Sequence, residues 1–360
     1  MQKKLIALAI AGLVSAPVFA QSSVSIYGVA DAYMGLGSHA DNDFAGVESG
    51  GLFGSRLGFR GAEDLGRGLK AVFTLEQGFG IDDGSQSDSS MAFQRQAFVG
   101  LAGAFGAVTL GRQYAPGWDF QYDVMMGSIV SPQYLLSSGV NSSIAASSDA
   151  RWNNSVAYNG MFSGLKVRAI YSMAANENST EYPGNDWTDP SDDDAAGLGL
   201  EYSNGPLKVG AVYQYLQGAA SGTKDQREWL VGGSYDFGVL TLAMSYQDAQ
   251  SLHNTKDQDG DLWQLGVTVP VGAAGKVHVA YGEMDIDNAY GNNKDGKVKS
   301  YALAYTYALS KRTTAYTGYN RTDNDKGMVF GPVQYKDKDG LGTYGGDNSD
   351  LFVVGVAHTF

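Results

Sequence analysis

Phe53-Gly-Ser-Arg-Leu-Gly-Phe-Arg-Gly61 and Leu69-Lys-Ala-Val-Phe-Thr-Leu-Glu-Gln77 decide how the rest of the chain is read. In the first run Leu57 and Phe59 alternate with Arg56 and Arg60. In the second, Leu69, Ala71, Phe73 and Leu75 alternate with Lys70, Thr74 and Glu76. A period of two is the signature of a strand with two unlike faces. Glu63-Asp-Leu-Gly-Arg-Gly68 joins the runs as a short turn. Each run approaches the roughly ten residues that a tilted strand needs to cross a bilayer. One face suits oil and the other carries cations.

The same rhythm extends in both directions. Val24 to Leu36 reads as a strand before this pair, and a polar loop, Ile81 to Ser90, follows it. Short links recur at Phe162-Ser-Gly164, Ser203-Asn-Gly-Pro206, Asp236-Phe-Gly238, Val271-Gly-Ala-Ala-Gly275 and Ala308-Leu-Ser-Lys311. Longer polar links alternate with them at Ala174 to Asp194, Gly218 to Asp225, Ala249 to Gly260, Asp285 to Lys297 and Thr322 to Asp350. Short turns at one end and long loops at the other are the pattern of outer-membrane barrels. Counting segments gives about sixteen strands, an even number in the range of closed transmembrane barrels. The expected fold is all-β, a sixteen-stranded antiparallel transmembrane β-barrel.

Composition agrees. The 360 residues include 49 Gly, 22 Tyr and no Cys, which favours many short strands and excludes disulfides and thiolate metal sites. Mean hydropathy is −0.20, a value that hides alternate lipid-facing positions. Tyr158, Tyr171, Tyr202, Tyr213, Tyr235, Tyr246, Trp263, Tyr281, Tyr301, Tyr307 and Tyr316 lie near segment ends, where amphipathic rings favour a lipid–water boundary. The chain closes on Leu351-Phe-Val-Val-Gly-Val-Ala-His-Thr-Phe360, with Phe352, Val354, Val356, His358 and Phe360 on one face. A strand that runs to the last residue suits closure against the first.

The first twenty residues read differently. Met1-Gln-Lys-Lys4 is basic, Leu5 to Pro17 is apolar, and Val18-Phe19-Ala20 is a small-residue cleavage site. Residues 1–20 are expected to be a secretory signal peptide and 21–360 the barrel. Loss of Lys3 and Lys4 takes the formal charge from −13 to −15.

One connection breaks the rhythm. Between Ala107-Val-Thr-Leu-Gly-Arg-Gln113 and Arg151-Trp-Asn-Asn-Ser-Val-Ala-Tyr158 lies a long segment that is apolar and aromatic in its first half, Tyr-Ala-Pro-Gly-Trp-Asp-Phe-Gln-Tyr-Asp-Val-Met-Met-Gly. Long loops of this kind are usually functional. The segment from about 114 to 150 is expected to fold into the barrel mouth and narrow it.

Several of these stretches resemble a family. Ser25-Ile-Tyr-Gly-Val-Ala-Asp31, Ser55-Arg-Leu-Gly-Phe-Arg-Gly-Ala-Glu-Asp-Leu-Gly66, Arg95-Gln-Ala-Phe-Val-Gly-Leu101, Gly106-Ala-Val-Thr-Leu-Gly-Arg-Gln113 and terminal Phe360 are similar to the Gram-negative general porins, most of all the β-proteobacterial branch. The resemblance implies an outer-membrane homotrimer among lipid and lipopolysaccharide, with a third loop inside the pore. It also implies passive passage of small hydrophilic solutes and ions. In that family wall arginines face an acidic stretch of the loop. Arg56, Arg95 and Arg151 match the wall positions, and Asp119 matches a loop acid. The Pro-Glu-Phe-Gly tip of enterobacterial members is replaced by Val124-Met-Met-Gly-Ser128, with Asp123 the nearest acid.

Alternation places Arg56, Arg60, Lys70, Arg95, Arg151, Lys166 and Arg168 toward water, since a lipid-facing Arg near the midplane costs about 2–4 kcal/mol. The expected constriction is a basic wall of Arg56, Arg60, Lys70, Arg95, Arg151 and Arg168 facing Asp119 and Asp123, leaning toward anions or weakly selective. The same ion pairs could instead simply fix the loop. Asp257, Asp259 and Asp261 have part of a calcium-loop spacing but no closing Glu, so neither metal nor cofactor is expected. His39, His253, His278 and His358 lack a nucleophile motif beside them, so an enzyme is not expected. The acidic balance speaks against nucleic acid. The rival reading is an adhesin or receptor whose outer loops carry the function, and the position of the segment 114–150 separates the two.

Overall fold

The computed structural model describes residues 23–120, 122–139, 150–173, 175, 194–218, 223–289, 294–333 and 346–360. The expected signal peptide and the acids Asp186, Asp189, Asp192 and Asp193 lie outside the described residues. Among the described residues seventeen strands form one antiparallel sheet. They are β1 (Ser23–His39), β2 (Asn42–Ser49), β3 (Arg56–Gly66), β4 (Leu69–Gly78), β5 (Gln96–Gly103) and β6 (Gly106–Tyr114), then β7 (Arg151–Phe162), β8 (Leu165–Ser172) and β9 (Ala195–Asn204). The second half holds β10 (Leu207–Leu216), β11 (Gln226–Asp236), β12 (Thr241–Gln250), β13 (Gly260–Val271), β14 (Gly275–Ala289), β15 (Lys294–Ala308), β16 (Thr313–Asn324) and β17 (Ser349–Thr359). Among the described residues of the long β6–β7 connection lie two short helices, α1 (Pro116–Asp119) and α2 (Pro132–Gly139).

The seventeen strands fill sixteen positions of a closed ring. Along one edge β1 pairs with β17, from Val29↔Thr359 to His39↔Ser349. Along the other it pairs with β3 through Ser23–Val29 and with β2 through Ala32–His39. Strands β2 and β3 are therefore two halves of one position. Closure extends to the last residue, because Gly28 and Phe360 exchange both backbone hydrogen bonds at 3.1 Å. A Cβ at Gly28 would overlap the Phe360 ring, so glycine is what lets the terminal aromatic lie there.

The interruption at residues 50–55 corrects the expected strand start at Phe53, and its cause is a buried carboxylate. Asp31 Oδ2 accepts hydrogen bonds from the backbone N–H of Leu52 (2.8 Å) and Phe53 (2.6 Å). Its Oδ1 accepts one from the Tyr316 hydroxyl at 2.5 Å. These bonds draw the wall segment inward, off the ladder. Tyr316 is thus buried inside, contrary to its expected place in the outer aromatic belt.

The other rings follow the expectation better. Trp229 and Tyr246 meet on the outer face at 5.2 Å, and Trp263, Tyr281 and Tyr301 form a chain at 5.2 and 5.1 Å. Val99, Leu110, Leu198, Val231, Leu303 and Val354 are among the apolar side chains exposed on the outside, as a lipid-facing band requires. The expected loop from Asp285 to Lys297 is largely strand. There Asp285 and Lys297 are cross-strand partners, with Lys297 Nζ at 3.1 Å from Asp285 and 2.6 Å from Glu283. Opposite charges in register carry the hairpin beyond the apolar band.

The described part of the β6–β7 connection packs inside the ring against β9 to β16. Its apolar side chains sit over inward-facing glycines. Pro116 Cδ lies 2.9 Å from where a Gly197 Cβ would stand, and Pro132 Cβ lies 2.9 Å from that of Gly282. Phe120 covers Gly199, Tyr122 covers Gly232 and Val124 covers Gly266, each at a separation no Cβ could tolerate. Phe120, Tyr122, Val124 and Met125 join Val212, Leu230, Ala243, Ala280 and Ala302 in one buried cluster. Glycine inside a strand marks close approach, and here a line of them forms a trench for the loop.

Gly232→Val or Gly266→Val puts side-chain volume where Tyr122 or Val124 sits. Overpacking of this kind costs about 1–3 kcal/mol. Each variant should unfold at a lower temperature in detergent, while Ala211→Val on the outer face of β10 should not. Unchanged midpoints in both glycine variants contradict the trench.

Candidate functional site

With the loop against β9 to β16, open space remains along β1 and β3 to β6. A cavity of about 520 Å³ is lined by Tyr27, Arg56, Arg60, Glu76, Arg95, Tyr114 and Trp118. A second, of about 430 Å³, shares Arg60 and Thr74 with it and continues past Ser25, Ala62, Val72 and Thr109.

Glu76 and Tyr114 organise the arginines of the larger cavity. Glu76, nearly buried, accepts from Arg95 Nε at 2.8 Å and from the Tyr27 hydroxyl at 2.9 Å, and Arg56 Nε lies 3.7 Å away. Tyr114 ends β6, and its hydroxyl accepts from Arg95 at 2.9 Å and from Arg151 at 2.8 Å. The Arg151 guanidinium also lies 4.4 Å from the Tyr114 ring centroid. Arg60 sits 4.9 Å above the Tyr27 ring, exposed, and makes no ion pair among the described residues. Three guanidinium groups, Arg56, Arg95 and Arg151, thus gather around one carboxylate and one tyrosine hydroxyl. The local charge is positive.

The expected site residues divide into two groups. Arg56, Arg60, Arg95 and Arg151 come together around the cavity and Tyr114. Lys70, Arg168, Asp119 and Asp123 do not join them. Lys70 is exposed at the far end of β4, six positions from Glu76 and so ~20 Å away along the strand. Arg168 is buried beneath the loop, where it donates to Asp119 Oδ2 at 2.8 Å, to Asn159 at 2.9 Å and to the Tyr114 carbonyl. Lys166 stands 3.9 Å from the same Asp119 carboxylate and 4.7 Å from the Phe120 ring centroid. Asp119 therefore ties α1 to the wall behind it and does not face Arg56 and Arg95 across open space. Asp123 is turned into its own loop. It accepts from the backbone N–H of Met125 and Gly127, both at 2.8 Å, and from Ser131 Oγ at 2.6 Å. Burial pushes its carboxyl above the ordinary aspartate range, against the lowering effect of these bonds.

Glu76, Tyr114 and Trp118 are the site residues that sequence reasoning did not single out. Glu76 was legible as inward-facing from the face it shares with Lys70 and Thr74. Its pairing with Arg95, which stands just before β5, was not. His278, expected as a plain strand residue, faces inward between the hydroxyls of Thr268 (2.9 Å) and Thr306 (3.0 Å).

A family model described as Gram-negative porin matches residues 7–327. Outer membrane porin protein 32 of Delftia acidovorans is 32% identical over 371 aligned residues, covering 100% of both chains. An outer membrane porin protein of Bordetella pertussis is 31% identical, covering 88% of this chain and 93% of its own. Among solved structures, an anion-selective porin from Comamonas acidovorans superposes with a TM-score of 0.76 at 28% identity, covering 94% of this chain and 100% of that one.

Asp123→Ala removes one acceptor from three donors and should destabilise the protein by about 2–4 kcal/mol, seen as a lower thermal midpoint. Asp123→Asn keeps a carbonyl oxygen for part of the set and should cost less. Equal stability of wild type and Asp123→Ala contradicts a structural role for these three hydrogen bonds.

Proposed function

This chain belongs to the Gram-negative porin family, and from that premise we propose that it is an anion-leaning diffusion channel whose selectivity is set by Arg56, Arg60, Arg95 and Arg151. The family membership places it in the outer membrane as a channel rather than an enzyme. The observation that carries the finer reading is the asymmetry of the lumen. The loop occupies the side of β9 to β16, so solutes pass along the arginine side. The acids near that path are engaged: Glu76 by Arg95, Asp119 by Arg168, Glu201 by the Tyr122 hydroxyl, and Asp123 by its own loop. Low-dielectric walls then focus a positive potential on the passage.

The solved relative at 28% identity is itself described as anion-selective, which supports the same direction. The loop's position inside the ring favours a channel over an adhesin, because a loop packed under the rim cannot present a receptor surface. A formal charge of −13 for the full chain does not oppose anion passage. Charge on outer loops is screened within about 8–10 Å at physiological salt. We include in the proposal a homotrimer embedded among lipid and lipopolysaccharide, and removal of residues 1–20 on export.

The test is the reversal potential across a planar bilayer under a potassium chloride gradient. An arginine ~8 Å from a permeating ion contributes about 0.5 kcal/mol even at the dielectric constant of water, so removing two should lower chloride permeability roughly fivefold and raise that of potassium by as much, a change of about thirtyfold in their ratio. The wild type should favour chloride, and Arg56→Gln with Arg95→Gln should shift it toward potassium by that order. An unshifted reversal potential contradicts the assignment.

A further inference from the structure

Flat rings and cations share the open side of the lumen. Trp118, carried on α1, stacks on Tyr114 with ring centroids 4.3 Å apart and planes 11° from parallel. The Arg151 guanidinium lies 5.6 Å from the Trp118 ring centroid, beside the stacked pair. Trp118 is half-buried and lines the 520 Å³ cavity together with Arg56, Arg60 and Arg95. A channel that sorted only by charge would need the guanidinium groups and not the rings.

We propose that this cavity is a transient binding site for small aromatic carboxylates. The ring of the solute lies against Trp118 and its carboxylate takes the guanidinium N–H groups of Arg95 or Arg56. The proposal rests on the reading of the cavity as the anion path and adds the solute class.

Three physical points support it. Tyr114 is held by its hydroxyl bonds to Arg95 and Arg151, so the face of Trp118 that it covers is fixed and the platform is preformed. The indole N–H of Trp118 has no hydrogen-bond partner among the described residues, so no polar contact dictates the ring's position, whereas buried indoles usually find a partner. Guanidinium matches a carboxylate through two parallel hydrogen bonds, which chloride cannot use. The cavity volume is also within the range of small-molecule sites, and its continuation past Ala62 and Thr109 leaves an exit.

Stacking against an indole should favour an aromatic over a saturated ring by about three- to tenfold. Benzoate and cyclohexanecarboxylate have the same charge and similar size, so comparing them isolates that term. Each is titrated against the chloride current of the purified full-length protein in a planar bilayer. For the wild type the half-blocking concentration of benzoate should be three- to tenfold lower. In Trp118→Leu the two acids should block alike, and in Trp118→Phe the difference should persist. Equal block by the two acids in a chloride-preferring wild type overturns the stacking site alone. Persistence of the difference in Trp118→Leu overturns it too. Absence of chloride preference in the wild type removes the anion path, and the stacking site with it.

Discussion

A hydrocarbon bilayer offers no partner to a backbone amide. Every N–H and C=O of a sheet inside it must therefore be bonded to another strand, which only a ring without edges achieves. The pairing of β1 with β17, and of Gly28 with Phe360 beyond it, meets that requirement. The rest follows from the ring. Its outer positions meet lipid and its inner positions meet water, so apolar and polar side chains must alternate. Mean hydropathy then comes out near that of a soluble protein although the chain lives in a membrane.

The ring alone would leave a wide bore. The loop narrows it, and the glycine trench decides on which side. A line of inner positions without side chains lets Phe120, Tyr122 and Val124 reach the backbone of β9, β11 and β13. Each such apolar side chain contributes about 1.5–3 kcal/mol when removed from water. Asp31 acts on the facing wall, since the segment it draws inward offers the Gly51 carbonyl to the N–H of Ile129 at 2.9 Å. Held at both ends of its course, the loop yields the remaining space to the strands that carry Arg56, Arg60 and Arg95. Position in the lumen and sign of the lining charge are thus two results of one packing arrangement.

The ring was legible in the sequence because alternation is local. Leu57, Phe59, Arg56 and Arg60 declare their faces within five residues, and Phe352 to Phe360 declare the closing strand. The site was legible only in part. Arg56 and Arg60 followed from alternation, but Asp119 was placed in the constriction by its match to a loop acid of the family and Asp123 as the nearest remaining acid. Their partners, Arg168 and Lys166 in one case and the loop's own amides in the other, are brought close by loop geometry that no strand period encodes. Tyr316 was misread for the same reason: a tyrosine near a strand end can serve the outer belt or an inner carboxylate, and Asp31, 285 positions away, settles which. The glycines beneath the loop were visible as composition but not as a track, because they are spread over β9, β11, β13 and β14.

The central claim is that the open path follows the arginine side and that the side of β9 to β16 is filled. The chain has no cysteine, so single cysteines can be introduced without background. Ala62→Cys on β3 and Ala243→Cys on β12 both point inward, the first into the open passage and the second beneath the loop. A negatively charged thiol reagent applied during bilayer recording should react at position 62 and reduce the current, and should leave position 243 unmodified. Rapid reaction at 243 with none at 62 would place the path on the opposite wall and contradict the account.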